Sequence, residues 1–126
     1  MNKTYKGFLG ENLAIIYLLK NQYKIIVRNY RKKWGEIDIV AYDKKTKETV
    51  FIEVKMIIDS GASRILPEEE LTEEKIKRLK RVILSFLSQY RLEDKPWRFD
   101  FFAIEINRGC LKHSIRHYKD VYLECC

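Results

Sequence analysis

The stretch GEIDIVAYDKKTKETVFIEVK, residues 35–55, sets acids where strands ordinarily bury apolar side chains. Side chains alternate across a strand. Glu36, Asp38 and Val40 therefore share one face of the first half, and Phe51, Glu53, Lys55 and Ile57 share one face of the second. With the turn centred between Lys45 and Thr46, Asp38 falls opposite Glu53 and Glu36 opposite Lys55. Opposed Cβ atoms lie about 5 Å apart. Two carboxylates that close repel unless one takes a proton or a cation stands between them. A divalent cation resolves the conflict, and an oxygen-only donor set suits Mg2+ or Mn2+ rather than zinc. The alternative is a solvated outer face with cross-strand salt bridges, Glu36 to Lys55 in particular. Val40, Phe51 and Ile57 on the same face argue against full solvation.

Glu11 is a third acid in apolar surroundings. Residues 4–20 follow helical spacing through Leu9, Leu13 and Ile16, with Phe8, Ile15, Leu18 and Leu19 widening the apolar face. One turn from Glu11 stand Gly7, Phe8, Ala14 and Ile15. An acid on a face that packs against a sheet is costly unless it is paired or binds metal. The alternative is an acid at the edge of that interface.

The elements that must position these residues are legible in the same way. Strands are predicted over 23–33, 36–42, 49–57, 97–106 and 111–118 from their β-branched and aromatic content. Residues 58–65, with Gly61, read as a loop, and Asn107-Arg108-Gly109 as a turn. A long helix starts at Pro67, with a break or second start near Leu71 and Thr72. Its stripe is Ile76, Leu79, Ile83, Phe86, Leu87 and Tyr90, and Pro96 ends it. Gly35 is expected to let the chain turn sharply into its strand. The order is α, three β, α, two β: an α/β fold with a mixed sheet of about five strands flanked by helices. Its 126 residues suit one domain spanning 1–126.

The net charge is +7, which favours polyanionic partners. Arg28, Arg31, Lys32 and Lys33 precede the acidic stretch, and Lys75, Lys77, Arg78, Lys80 and Arg81 follow it. No apolar run reaches bilayer length, and MNKTYKGFLGEN lacks the apolar core of a secretory signal, so a cytoplasmic location is expected. Cys110, Cys125 and Cys126 are an odd set without a C-x-x-C pair, so ordinary thiols are expected rather than a disulfide framework or a zinc site with His113 and His117.

An Asp on one strand followed by Glu-x-Lys on the next resembles the PD-(D/E)xK nuclease superfamily, with Asp38 and the run Glu53-Val54-Lys55 as its elements and Ile37 where the superfamily name has Pro. GFLGENLAIIYLL, RNYRKKWGEIDIVA, VFIEVK, EEKIKRL and RFDFFAI, in that order, resemble the YraN-type family of small bacterial proteins, similar in turn to archaeal Holliday-junction resolvases. The arginine usual soon after the Glu-x-Lys lysine is replaced by Met56 and Ile57, which removes an expected DNA contact. The resemblance implies a restriction-endonuclease-like fold and a metal-dependent endonuclease acting on DNA, branched or structured DNA included. It implies Mg2+ (or Mn2+) held by Asp38, Glu53 and Glu11 with the Val54 carbonyl, and Lys55 beside the attacking water and the phosphate. Lys75 is then an auxiliary cation, and Arg31, Lys32, Lys33, Lys75 and Arg78 contact nucleic acid. Glu36 pairs with Lys55 or Arg31 or holds a second metal, while Trp34 stacks on a base or anchors the core. A homodimer is implied by the paired cuts of junction resolvases. Two rival classes stand beside the enzyme: a nucleic-acid-binding module of the same fold without efficient cleavage, and an adaptor that docks another protein through its helices.

Overall fold

A computed structural model describes residues 5–58, 66–107, 109 and 112–123. The three cysteines, Arg108 and residues 59–65 of the expected loop lie outside the described residues. The elements are α1 (Tyr5–Lys20), β1 (Tyr23–Lys32), β2 (Gly35–Asp43), β3 (Glu48–Ile58), α2 (Pro67–Glu70), α3 (Glu73–Gln89), β4 (Trp97–Asn107) and β5 (Lys112–Tyr118). The five strands form one sheet in chain order. All neighbours are antiparallel except β3 and β4, which run parallel. A parallel pair requires a long crossover, and α3 lies within it. This is the expected α/β order, and the long helix breaks at Leu71 and Thr72, where a second start was expected.

The division and both ends of α3 have local causes. Thr72 has extended backbone and its hydroxyl accepts the Lys75 N–H, which starts α3 afresh after α2. Glu73 and Glu74 then occupy the first turn, where the helix dipole favours anions. The helix stops well before Pro96. Arg91 adopts φ 56°, its N–H bonds the Ser88 carbonyl, and the Leu92 N–H reaches back to the Leu87 carbonyl at 2.8 Å. That pair of hydrogen bonds closes the helix end without proline.

The helices cover opposite faces. Against α3 lie Val40, Phe51, Phe99, Phe101 and Ala103 with Leu79, Val82, Ile83 and Phe86. Against α1 lie Ile39, Ala41, Val50, Ile52, Met56, Phe102 and Ile104 with Ala14 and Leu18. Each fully buried Phe or Leu contributes about 1.5–3 kcal/mol, so the two-sided core carries the fold. Both Gly10 and Gly35 mark close approaches. A Cβ at Gly10 would meet Met56 Cβ at 3.1 Å, and one at Gly35 would meet Val82 Cγ2 at 3.2 Å. Gly35 therefore serves the packing of β2 on α3, not the sharp turn expected of it.

The β2–β3 hairpin has the predicted register, from Asp43 opposite Glu48 to Ile39 opposite Ile52. Asp43 builds its turn: its carboxylate accepts the Lys45 N–H at 2.9 Å and its carbonyl the Lys47 N–H at 2.7 Å, with Lys47 at φ 62°. Two features depart from simple alternation: a register shift between Ile25 and Val27 sends these two residues to opposite faces, and a second reversal follows further along β1. Arg28 reaches α1 while Tyr30 packs with the α3 cluster, and their partners Ile39 and Ile37 divide in the same way. Ile37 was expected to share a face with Ile39 and Ala41. Between Arg28 and Tyr30 stands Asn29 at φ 56°, a left-handed residue inside a strand, which reverses the facing of the ribbon.

Candidate active site

Beyond the Ile39–Ile52 pair, β2 and β3 are joined by a side chain: Asp38 Oδ2 accepts the Val54 N–H at 2.8 Å. That bond holds the nearly buried Asp38 carboxylate against β3, next to Glu53. Burial, together with the Asp38 charge, pushes the Glu53 carboxyl up to about 8, and Lys75 opposes that rise. Lys75 Nζ stands 3.3 Å from Glu53 Oε2, placed there by the first turn of α3 above its Thr72 cap. The like-charge conflict expected between Asp38 and Glu53 is thus present, and an ammonium from the other side of the crossover meets it.

Of the remaining residues, Lys55 takes a partner other than the expected one, whereas Glu36 takes Arg31, one of its two expected partners. Lys55 does not face Glu36. Its Nζ lies 3.7 Å from Glu70 Oε1 in α2, because the short helix folds back over this end of β3. Glu36 is met by Arg31, 3.7 Å away across the β1–β2 turn. Glu11 is buried at 1% exposure and reaches the sheet from α1, on the face opposite α3. Its Oε1 lies 3.9 Å from Arg28 Nη2, and the same Arg28 nitrogen donates to Asn12 at 2.8 Å. Among the described residues no three Asp, Glu, His or Cys side chains gather into a group that could hold a metal ion. The donor chemistry of the Asp38–Glu53 pair nevertheless fits one hard cation: two carboxylates, one of them reluctant to ionise beside the other.

A cleft of about 660 Å³ opens over Glu53. Arg31, Lys32 and Lys33 form one wall, Lys75 and Arg78 of α3 the other, and Glu36 lies among them. All five cations selected from sequence as nucleic-acid contacts thus line a single cleft. Trp34 also borders it, but its ring packs on the α3 cluster with the Arg81 guanidinium 4.1 Å from its centroid, so it acts as an anchor.

Sequence reasoning missed a second charged assembly. Arg98 of β4 is 5% exposed and donates to Asp43, Asp100, Glu48, Thr46 and the Tyr23 hydroxyl. His117 Nε2 lies 2.6 Å from Asp100 Oδ2. Burial alone would raise Asp100, but His117, Arg98 and the Asp120 N–H hold it below the usual carboxylate range. Burial pushes the Tyr23 hydroxyl up to about 12 against the pull of Arg98. This cluster ties the β2–β3 turn to β4. The only sequence signal for it was charge inside WRFDFF.

The chain matches the model of uncharacterised protein family UPF0102 over residues 10–104. It belongs to the UPF0102 family. The matched span includes Glu11, Asp38, Glu53, Lys55 and Lys75. The UPF0102 protein of Sulfurihydrogenibium sp. is 37% identical, covering 86% of this chain and 90% of its own length. That of Chlorobium phaeobacteroides is 42% identical over 90% of this chain and 86% of its own. That of Thermotoga maritima is 37% identical over 90% and 94%. Among solved structures, a repair endonuclease from Pyrococcus abyssi aligns with a TM-score of 0.45 at 15% identity, over 86% of this chain and 41% of its own. EndoMS in complex with dsDNA aligns at 0.42 and 14%, over 79% and 36%. This UPF0102 chain therefore spans about two fifths of either larger protein. Among the described residues of the UPF0102 chain, no helix is long and apolar enough to cross a membrane.

Proposed function

We propose that this UPF0102 protein is a metal-dependent nuclease that hydrolyses phosphodiester bonds of DNA, branched or structured forms included. One observation carries the reading: the Asp38–Glu53 carboxylate pair adjoins a cleft walled by Arg31, Lys32, Lys33, Lys75 and Arg78. A carboxylate pair alone would repel a nucleic acid. Five cations around it bring a phosphodiester chain to the acids, as electrostatic focusing in a cleft requires.

In this reading Asp38 and Glu53 hold Mg2+ or Mn2+, which supplies an activated water and binds a phosphate oxygen. Asp38 keeps its orientation through the Val54 N–H. Lys55, two residues beyond Glu53 and 44% exposed, steadies charge on the phosphate once it leaves Glu70. Arg31, Lys32, Lys33 and Arg78 hold the flanking backbone. Glu11, 3.9 Å from Arg28, is assigned a supporting role from α1. A second reading, nucleic-acid binding without cleavage, draws support from the carboxylates that already engage both Lys55 and Lys75.

The test incubates the chain with labelled linear duplex, single-stranded and four-way-junction DNA in Mg2+, Mn2+ or EDTA. Cleavage that EDTA abolishes and Asp38→Asn removes is the expected result; asparagine retains an acceptor for the Val54 N–H. Salt-sensitive binding with no cleavage in any metal supports the second reading. Neither binding nor cleavage overturns both.

A further inference from the structure

Lys75 stands in the place where the proposed metal must act. Its Nζ is 3.3 Å from Glu53 Oε2, within the carboxylate pair's immediate field, and its side chain is about one-third exposed to the cleft at 34%. Lysine is a compact charge on a flexible stem, able to change partners by rotation of its own side chain. Lys55, the lysine of the Glu-x-Lys run, is turned to Glu70, and it is the Lys75 ammonium that stands against Glu53. Two carboxylates accommodate either a divalent cation or a nearby ammonium far better than both, since the two cations repel at such range. A Lys75 displaced from Glu53 needs another anion, and the cleft it lines, shared with Arg31, Lys32, Lys33 and Arg78, is built to receive one.

We propose that Lys75 is an exchangeable counter-ion. It competes with the divalent cation for Glu53, and a phosphodiester entering the cleft draws it away, so that metal and nucleic acid bind cooperatively. The inference rests on the nuclease reading and adds to it the order imposed on the site: substrate opens the metal position. By linkage the coupling is reciprocal, and metal strengthens nucleic-acid binding by the factor by which nucleic acid strengthens metal binding. A lysine that merely added positive charge to the cleft would have no such signature.

The test titrates Mn2+ by calorimetry above pH 8, where the Glu53 proton is lost and the carboxylate needs a counter-ion, into wild type, Lys75→Gln and Lys75→Arg, each alone and with a short phosphorothioate duplex that resists hydrolysis. Duplex affinity in EDTA is read by fluorescence anisotropy. Lys75→Gln is expected to bind Mn2+ tighter than wild type by about fivefold or more, and the duplex more weakly. The two changes have opposite sign. The gain in Mn2+ affinity that duplex gives wild type should shrink in Lys75→Gln, while Lys75→Arg, which keeps the charge, should retain wild-type behaviour. Mn2+ affinity unchanged or weakened in Lys75→Gln, with wild type binding normally, overturns the proposal alone. No Mn2+ binding by any of the three overturns the proposal together with the nuclease reading.

Discussion

At Glu53, burial and the neighbouring Asp38 both disfavour the ionised form, so the folded chain keeps a proton there that the unfolded chain releases. The folded value, about 8, lies above the ordinary 4.5. The associated stability is complete below pH 4.5 and is lost as pH rises through about 8. Within that window its slope is at most about 1.4 kcal/mol per pH unit. Glu53→Gln should flatten the dependence and make the chain more stable than wild type above pH 8, as read by urea unfolding across the window. A wild-type stability indifferent to pH there would show that Glu53 ionises normally. At Asn29, the left-handed backbone is the feature that matters, since its Oδ1 is buried with no hydrogen-bond partner among the described residues. Asn29→Gly should stay within about 0.5 kcal/mol of wild type, whereas Asn29→Val should lose about 2 kcal/mol or more. Thermal melts of the two variants check this. An asparagine amid YKIIV and YRKK was visible in the sequence, but its φ depends on the facing that the two cores impose.

At the scale of elements, the buried Arg98 assembly and the end of α3 make separable predictions. Arg98 pairs with Asp43 and Asp100, both nearly inaccessible, and with the partly exposed Glu48. Arg98→Met removes the cation these carboxylates share and should cost about 3–5 kcal/mol in denaturant unfolding. A loss under about 1 kcal/mol would mean that water or protonation replaces the guanidinium. Arg91→Gly should instead stabilise by about 0.5–1 kcal/mol, because glycine adopts φ 56° without a Cβ penalty; a raised midpoint with unchanged slope is the expected sign. The break before Thr72 was readable from a cap residue followed by acids. The end at Arg91 was not, because any residue can be forced left-handed when Leu92 has a core to enter.

For the whole molecule, the cleft makes salt the diagnostic variable. If the cleft binds nucleic acid through phosphates, replacing Lys32 and Lys33 by Ala should lower the slope of log affinity against log salt by about 1 for each lysine, without regard to base sequence. Anisotropy titrations at several salt concentrations measure it, and an unchanged slope would place the polyanion elsewhere. The elements, the hairpin register and the five cations of the cleft were all legible in the chain itself. Alternation and turn length are short-range constraints, so they name Asp38 and Glu53 as neighbours before any folding is considered. Only the tertiary structure decided that Lys75 meets Glu53 while Lys55 turns to Glu70, that α1 carries Glu11 to the face opposite α3, and that Arg98 gathers polar groups from β1, β2, β3 and β4. Those outcomes depend on which face each helix covers after the parallel crossover, and that choice is made by packing between segments far apart along the chain.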